Sequence, residues 1–527
     1  MSYKDQVART LVILARTPGW QTLKSLSPDC DDETVQAILE AAADFAEGVL
    51  APLDPVGDKI GAHYADGRVS LPEGFAEAFK QFAESGWLGM DVIGTYGGQA
   101  LPLTVQAAAF PLFDRACTSL MMAATSTRAA AHLLSEAADP ATASEWVPNL
   151  VSGQWAANIC ISEPDAGSDV GRLRTRAEAR GDEWIVNGNK IWISFGDHDL
   201  AERIGHCVLA RTNEKPGTRG ISLFLVPNMI DGASNGVVIE RIEEKLGLHA
   251  SPTCAMRFEE AKAVLLGEEG RGLPELFAMI ELMRLATGCQ GLGLASAAAD
   301  IAEAYAAERR QGGAPDQPPV TIDQHPDVRR QLDEIRASTE ILRAAVLELA
   351  TAMDIARITG DAALADYTGW MLPLIKNFGA EAGFDVPNRA IQILGGAGYT
   401  QEWPLERHLR DARVFSIYEG TTGMQALDFL TRRLWRDEGK GLSVFMDRAR
   451  QEAGESPALL ALLDEFEALG THMRAMQADT DAALYRADAY MRAAWMAVSA
   501  ALAYRIGDTD ALPRLSARFA YHAACCA

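Results

Sequence analysis

The sequence predicts an α+β protein in which a middle antiparallel β domain separates an N-terminal helical domain from a C-terminal helical bundle and a final helical extension. Residues 32–150 place Ala, Leu, Phe and Glu at helical spacing, and short runs of β-branched and aromatic residues follow Trp155. The helical pattern returns after the segment GEEGRGL. Because helices and strands do not alternate regularly, and no Gly-x-Gly-x-x-Gly run follows a predicted strand, we do not expect a doubly wound nucleotide-binding fold.

The first block, residues 1–155, is predicted to be a helical domain. The runs ETVQAILEAAADFAEGVLAPL and EGFAEAFKQFAESGWLGM repeat apolar residues with the period of an α-helix. The segment IGTYGGQALP is dense in Gly and Pro and predicts a loop, after which a helix should begin near Leu103.

The middle block, residues 156–268, is predicted to form the β domain. Its runs AANICIS, EWIVNGNKIWIS, HCVLAR, GISLFLVP and TCAMRFEEA are bounded by turn residues. The Asn187-Gly188 pair inside the second run predicts a hairpin, because a tight type I′ turn needs positive φ at both central positions.

The third block, residues 269–435, is predicted to be an antiparallel helical bundle. It contains ELFAMIELMRLATGCQGLGLASAAADIAEAYAAERR, then HPDVRRQLDEIRASTEILRAAVLELATAMDIA, and a third long segment near 362–385. Residues 436–527 also follow a helical pattern and hold more acidic than basic groups. They predict an appended helical domain.

Composition excludes several classes of partner. The chain has 527 residues, of which 48% are hydrophobic and 23% charged, with a net charge of −24 and a pI near 4.8. Attraction to nucleic acid or to an anionic membrane depends on clustered Lys and Arg, so neither is expected. The Cys residues form no CxxC pair and the His residues are scattered, so no metal site is expected. The N-terminal sequence lacks a signal-peptide pattern and no apolar run suggests a membrane span, which favours a cytoplasmic protein.

The segment ISEPDAGSDVGRLRTRA, residues 161–177, is the first that can carry chemistry. It offers the hydroxyls of Ser162 and Ser168, and a Pro and Gly turn in which unpaired backbone N–H groups suit an anion. A surface connection between strands explains the same composition.

The segment NGNKIWISFGDHD is the second. If it is a strand, Trp192 and Ser194 project to one face and could flank a flat cofactor ring. Ordinary packing of a tryptophan on a half-buried strand is the alternative.

The third segment is QILGGAGYTQEWPLERHLRDARVFSIYEGTTGMQALDFL. Its glycines permit close backbone approach, and Thr421 or Thr422 can cap a helix through MQALDFLTRRL, whose start would suit a pyrophosphate. Glu419 lies between the strand-like apolar run VFSIY and a glycine, where burial would raise its pKa and make it a usable base. A solvated carboxylate in the first turn of a helix is the alternative.

Together these segments resemble the acyl-CoA dehydrogenase family. SEPDAGSD is similar to the family's T/S-E-P-x-A-G-S-D signature, NKIWIS to its flavin-flanking strand, and QILGGAGY with RDAR and IYEGT to its C-terminal signature. The resemblance spans residues 35–435 in the right order. It is strongest to the long bacterial members with an appended C-terminal helical domain, a subgroup that includes the 3-methylmercaptopropionyl-CoA dehydrogenases, which EEKLGLHASPTC, CQGLGLA and HPDVRR also fit.

The resemblance implies α,β-dehydrogenation of an acyl-CoA to the trans-2-enoyl-CoA, with FAD as cofactor and an electron-transfer flavoprotein as electron acceptor. Glu419 corresponds to the base that removes the α-proton, while the β-hydrogen leaves as hydride to the flavin. The backbone N–H of Glu419 would hold the thioester oxygen, together with a ribityl hydroxyl of FAD. The neighbours of this base, Tyr418 and Gly420, are expected to contact the substrate.

The resemblance also implies a set of cofactor and substrate contacts. Those expected on the chain's own FAD are Ile161, Ser162, Ser168, Trp192, Ser194, Thr421 and Gly423. Those expected on the FAD of a neighbouring subunit are Arg309, Gln392, Gly395 and Gly396. Ser168 would also contact the CoA phosphates, and Arg284 matches an arginine near the CoA nucleotide, which would let an acidic protein bind a polyanion.

Shared cofactor sites imply a homo-oligomer. The extension is expected to cover a surface that tetrameric relatives bury against a second dimer, so a dimer is favoured. The chain departs from the family at ERRQGGAP, where an aromatic is common, and this affects the contacts on the adenine side. A few members carry the base at the position of Met283, so Glu419 has no competitor here. Glu instead of the Asp of nitroalkane-oxidising relatives favours thioester chemistry.

Two other functions remain open from the sequence. An alkylation-response-type flavoprotein would associate with DNA through a basic C-terminal region, whereas the extension here is net acidic. An acyl-CoA oxidase would pass electrons to oxygen. The acyl group is not fixed either: 3-methylmercaptopropionyl-CoA is expected from the subgroup, and a medium or long straight chain is the alternative.

Overall fold

The computed structural model describes residues 2–181 and 183–526, which divide into two compact units. The first, called the bundle unit, consists of the chain up to Asp44, Pro102–Arg115 and the chain from Arg284 onward. The second, called the sheet unit, consists of Phe45–Leu101 and Ala116–Met283. The predicted α+β class is confirmed, and the four domain boundaries stay a prediction.

The helices follow the predicted blocks closely. They are α1 Tyr3–Arg16, α2 Trp20–Leu26, α3 Asp32–Phe45, α4 Asp54–Ile60, α5 Phe75–Glu84, α6 Leu103–Ala137, α7 Pro140–Val151, α8 Gly272–Glu308, α9 Pro326–Thr359, α10 Ala362–Leu394, α11 Leu405–Ala412, α12 Thr422–Leu427, α13 Lys440–Ala453, α14 Pro457–Ala475, α15 Thr480–Tyr485, α16 Ala487–Ile506 and α17 Leu512–Ala524. A π-helical segment, Asp428–Arg436, continues α12.

The strands are β1 His63–Ala65, β2 Arg68–Ser70, β3 Trp155–Cys160, β4 Arg176–Arg180, β5 Glu183–Ser194, β6 Arg203–Arg211, β7 Ile221–Pro227, β8 Met229–Ile230, β9 Ala233–Ser234, β10 Val237–Ile242 and β11 Thr253–Leu266. The main sheet has the order β10-β11-β5-β4-β6-β3, and β7 pairs with both β11 and β6. These pairings close into a ring within the sheet unit.

The first helix predicted after the Gly/Pro-rich loop begins at Leu103, as expected. Its N-terminal amides are satisfied within the bundle unit, since Leu103 N and Thr104 N donate to the carboxylate of Asp354 at 3.0 and 2.8 Å. The helix is interrupted at Cys117, whose φ and ψ are −159° and 81°. The boundary between the two units falls beside this interruption.

The sheet differs from the prediction of a purely antiparallel domain. β3 and β6 run parallel, in register from Trp155 with Arg203 to Cys160 with Val208. Sequence alternation does not reveal strand direction, because a half-buried strand shows the same pattern in either orientation.

The hairpin predicted at Asn187-Gly188 is wrong, because both residues lie inside β5. The adjacent hairpin instead closes where Arg180 pairs with Glu183. The Asn187 side chain serves a bulge in β11: its Oδ1 accepts from Glu260 N at 2.8 Å and its Nδ2 donates to Glu260 Oε1 at 2.9 Å. Glu260 has a φ of 52°, which marks the bulge as an irregular part of β11. Asn187 therefore stabilises this irregular strand and does not form a turn.

Two apolar layers hold the sheet unit together. One lies within the sheet and includes Val186, Val208, Phe224 and Met256. The other joins α6, α7 and the start of α8 to strands β6 and β7, through side chains that include Leu134, Trp146, Leu209, Leu225 and Met279. Burial of these apolar side chains is the main contribution to the stability of the sheet unit.

The bundle unit contains α8 from Arg284, α9, α10 and the extension. α8, α9 and α10 share a core with side chains such as Ala302, Ile335 and Ala390. The extension packs directly on α10, where Trp495 stacks on Phe378 with ring centroids 4.9 Å apart. The predicted helical extension is therefore part of the same compact unit as the bundle.

No helix in residues 2–181 or 183–526 is long and apolar enough to cross a membrane. Within the same ranges, His, Cys, Asp and Glu side chains form no group of three or more that could hold a metal ion.

Candidate functional site

The segment from α11 to α12 positions Glu419 in the bundle unit. A 3-10 turn, Arg413–Ser416, follows α11, and Thr421 is the N-cap of α12, where its side chain accepts from Met424 N at 3.4 Å. The strand-like interpretation of VFSIY is therefore wrong, because its first residues belong to this turn. The prediction that Thr421 or Thr422 caps the next helix is confirmed for Thr421.

The backbone at Glu419 is strained. Its φ is 53°, a left-handed value that costs a residue with a side chain about 1–3 kcal/mol. Gly420 follows with a φ of 91°, and a Cβ there would lie 2.7 Å from Gln425 Nε2. A glycine is required after Glu419 for both reasons.

Two side chains hold this strained turn by its carbonyl groups. Lys376 Nζ donates to Phe415 O at 2.9 Å and to Gly420 O at 2.6 Å. Gln425 Nε2 donates to Glu419 O at 3.1 Å and to Gly420 O at 3.2 Å. The turn is thus fixed from α10 on one side and from α12 on the other.

The carboxylate of Glu419 is half-buried and accepts no hydrogen bond from the residues that the structure describes. Burial raises its pKa, while the positive charges of Lys376 and Arg284 oppose that rise. Its backbone N–H likewise has no acceptor within the described ranges. A carboxylate and an N–H on the same residue are therefore both available to a ligand.

Arg284 lies close enough to Glu419 for their charges to interact. Burial lowers the pKa of Arg284, and the negative charges of Asp428 and Glu419 oppose this. Its Nε and Nη1 atoms are buried and have no hydrogen-bond partner among residues 2–181 and 183–526. A half-buried guanidinium with unused donors is suited to an anionic or strongly polar ligand group.

Tyr418, the residue before Glu419, is held from α8. Its hydroxyl donates to Gln290 Oε1, and its ring stacks on Phe415 with centroids 5.8 Å apart. Burial raises the pKa of Tyr418 well above its usual value, and the charge of Glu419 adds to this. Tyr418 therefore stays a neutral phenol at physiological pH.

The sheet unit carries the other group of predicted site residues. Trp192 is 60% exposed and has a φ of 62°, so its indole projects from a strained position in β5. Ser162 and Ser194 are half-buried and Ser168 is exposed, and their hydroxyls form no hydrogen bond with the described part of the chain. The carbonyl of Ile161 accepts from Lys190 Nζ at 2.9 Å.

The residues predicted to bind the FAD of a neighbouring subunit are exposed in the bundle unit. Arg309 directly follows α8, Gln392 lies in the last turn of α10, and Gly395, with a φ of 61°, ends that helix. A Cβ on Gly395 or Gly396 would meet no atom within 4 Å in the described chain. Gly423 lies in the first turn of α12, where a Cβ would meet Thr421 Oγ1 at 4.0 Å.

Within the bundle unit the structure brings together Tyr418, Glu419, Gly420 and Arg284. Sequence reasoning missed Lys376, Gln425 and Gln290 as supporting residues. Lys376 could have been noticed as a lone cation in the apolar run MLPLIKNFGA, because an unpaired lysine is rarely buried. Gln425 and Gln290 give no comparable signal.

Comparisons with family models cover most of the chain. Residues 32–154 match the acyl-CoA dehydrogenase N-terminal domain, residues 158–261 the middle domain, and residues 270–434 the C-terminal domain.

Comparison with individual proteins gives the same result. The chain is 36% identical over 471 residues to 3-methylmercaptopropionyl-CoA dehydrogenase of Ruegeria pomeroyi, covering 86% of this chain and 80% of that protein. It is 35% identical to the broad-specificity linear acyl-CoA dehydrogenase FadE5 of Mycobacterium tuberculosis, covering 79% and 72%.

Among solved structures, butyryl-CoA dehydrogenase of Megasphaera elsdenii matches with a TM-score of 0.65 and 26% identity, covering 75% of this chain and 96% of that one. Caenorhabditis elegans ACDH-11 in complex with C11-CoA matches with a TM-score of 0.80, covering 95% and 89%. At 22% identity the second match supports the fold alone.

Proposed function

Because the chain belongs to the acyl-CoA dehydrogenase family, whose members are FAD-dependent oxidoreductases acting on acyl-CoA thioesters, we propose that Glu419 is its catalytic base. The carboxylate of Glu419 removes the α-proton of the bound thioester. The backbone N–H of the same residue donates to the thioester oxygen as negative charge develops there. The product is the trans-2-enoyl-CoA.

The observation that carries this proposal is the state of Glu419 itself. Its carboxylate has no hydrogen-bond donor and its N–H no acceptor among the residues that the structure describes. Burial that raises the pKa of a carboxylate makes it a stronger base once it is ionised. Lys376 and Arg284 limit the rise, and their positive charges favour the ionised form of the carboxylate.

The residues present fit an FAD cofactor. Ser162, Ser168 and Ser194 have hydroxyls that are not used within the described ranges, and Trp192 offers an exposed flat ring in the same unit. We assign these four residues and Ile161 to the chain's own FAD, together with Thr421 and Gly423. When bound, the flavin supplies the acceptor for the β-hydride.

For the substrate, we propose an acyl-CoA of the kind that its relatives' names describe. The similarity to the Ruegeria pomeroyi protein favours 3-methylmercaptopropionyl-CoA, and the similarity to the linear acyl-CoA dehydrogenase favours a medium or long straight chain. We assign Tyr418, Gly420 and Ser168 to the substrate. Arg284, whose unused donors suit an anion, is assigned to the CoA portion.

The experiment is a panel of acyl-CoA thioesters scored by anaerobic bleaching of the flavin absorbance. Wild-type holoenzyme should bleach, and Glu419→Gln should bleach about 10²–10⁴-fold more slowly with the same flavin content. Glu438→Gln is the matched control, because Glu438 also has a left-handed backbone, with a φ of 56°, but an exposed side chain. A Glu419→Gln enzyme as fast as the control would remove Glu419 from its role.

We further propose a cytoplasmic homodimer that passes electrons to an electron-transfer flavoprotein. Arg309, Gln392, Gly395 and Gly396 are exposed, as residues that contact the FAD of a second subunit must be before assembly. Light scattering should give the mass of a dimer, and a tetramer mass would contradict this. Peroxide formation with acyl-CoA in air, without another acceptor, would identify an oxidase instead.

A further inference from the structure

We infer that Lys376 is a positioning residue for the proposed proton abstraction: its ammonium group fixes the Glu419 turn and provides a positive charge that favours the ionised carboxylate. The inference rests on the proposed role of Glu419. It assigns to α10 a direct influence on the proposed base.

The geometry of Lys376 supports the first part. Its side chain is 0% exposed, and Nζ contacts backbone on both sides of the base, at Phe415 O and at Gly420 O. One ammonium group therefore spans the segment that contains Tyr418 and Glu419. Gln425 contributes donors to the same turn but carries no charge.

The charges around Lys376 support the second part. From the α11–α12 segment it faces Glu419 and the ring of Tyr418, whose centroid lies 6.0 Å from Nζ, and from α8 it faces Arg284. Glu419 and Lys376 form no ion pair within 4 Å in the described residues, so the carboxylate stays open to substrate. Burial lowers the pKa of Lys376 to about 7, an effect that Glu419 opposes and Arg284 increases.

The consequence is a pH-sensitive base. Proton removal by Glu419 requires its ionised form, so the rate of flavin bleaching rises with pH through the pKa of Glu419. A positive charge at residue 376 lowers that pKa. Loss of the charge should move the acid limb of the pH-rate profile to higher pH.

The test compares Lys376→Met with Lys376→Arg as flavin-loaded enzymes. In Lys376→Met the acid limb should move up by about one pH unit, which corresponds to about tenfold slower bleaching on that limb. In Lys376→Arg, which keeps a positive charge, the limb should stay at or below the wild-type position. Lys376→Gln, which is neutral but keeps a donor, should follow Lys376→Met in its pH profile and decides the question if the Met variant does not bind flavin.

Arg343→Met is the matched control, because Arg343 is a buried cation of the same unit whose partners, Glu340, Thr10 and Ser296, are not site residues. It should lower stability and leave the acid limb in place. A neutral Lys376 variant with the wild-type limb would overturn the inference, and so would an equal shift in the Met and Arg variants. Failure of the wild-type enzyme to bleach with any thioester, or an unchanged rate in Glu419→Gln, would instead refute the proposed function.

Discussion

Among the residues that the structure describes, two lysines, Lys190 and Lys376, are fully buried, and their surroundings differ. Lys190, in the sheet unit, donates to Glu163 Oε1 and to Ile161 O, both at 2.9 Å. Lys376, in the bundle unit, donates to two backbone carbonyls and leaves the carboxylate of Glu419 without a direct bond. Lys190 therefore forms an ion pair with Glu163. Lys376 lies near Glu419, but its hydrogen bonds go to backbone carbonyl groups and not to the Glu419 carboxylate.

The two carboxylates respond in opposite directions. Burial acts to raise the pKa of Glu163, but Lys190 and the donors Thr175 and Arg174 N hold it below its usual value. Burial raises the pKa of Glu419, and Lys376 and Arg284 only reduce the rise. A fully paired carboxylate is a poor base, and an unpaired one retains its affinity for a proton. The first arrangement satisfies a buried charge within the fold, and the second leaves a carboxylate available for the base role proposed for Glu419.

The largest expected effect is the loss of stability when Lys190, the paired lysine, is replaced. Lys190→Met leaves Glu163 buried without its cation and should lower the free energy of unfolding by about 3–5 kcal/mol, measured by urea denaturation. The control is Lys262→Met in the same unit, because Lys262 and Glu183 form an exposed pair at 2.8 Å that contributes at most about 1 kcal/mol. Equal losses of unfolding free energy in the two variants would mean that the buried Lys190–Glu163 pair contributes no more to stability than the exposed Lys262–Glu183 pair.

A smaller effect is expected in the pH dependence of stability. The pKa of Lys376 is about 7 in the folded protein, whereas the ordinary value of 10.5 applies to the unfolded chain. Between these two pH values the side chain is therefore protonated in the unfolded chain and deprotonated in the folded protein. Stability should therefore rise with pH across this range, by at most about 1.4 kcal/mol per pH unit. The measurement is the difference in unfolding free energy between wild type and Lys376→Met from pH 8 to 10.

That difference should increase in favour of wild type as the pH rises. A constant difference would mean that Lys376 keeps its proton throughout the range. The same outcome would also contradict the idea that a charge at this position titrates near neutral pH.

The sequence was sufficient for the order of the blocks, the start of α6 at Leu103 and the helix cap at Thr421, because helical periodicity and capping are local signals. It also singled out Glu419, through the residues on either side of it. The local signals failed where a distant strand decided the conformation. Asn187-Gly188 was interpreted as a turn, but its side chain binds the bulge at Glu260, 73 residues later in the chain.

The supporting residues of the site could not be predicted for a similar reason. Lys376 and the carbonyl of Gly420 are 44 residues apart, and only folding of α10 against the α11–α12 segment joins them. The parallel pairing of β3 with β6 is likewise a property of the assembled sheet. The local sequence points to Glu419 as the proposed base, whereas the charges around its carboxylate are set by tertiary structure.

The smallest effect is expected from the helix cap beside the base. Thr421 Oγ1 accepts from Met424 N, and replacement of such a cap by Ala costs about 1 kcal/mol. Thr421→Ala should therefore lower the free energy of unfolding by about this amount, whereas Thr422→Ala should change it little, because Thr422 is the first helical residue and not the cap. If Thr421 also binds FAD as proposed, its variant should lose flavin affinity beyond the effect of Thr422→Ala, measured by flavin release on dilution. Equal flavin retention in the two variants would limit Thr421 to its capping role and leave Lys376 and Gln425 as the contacts that hold the turn.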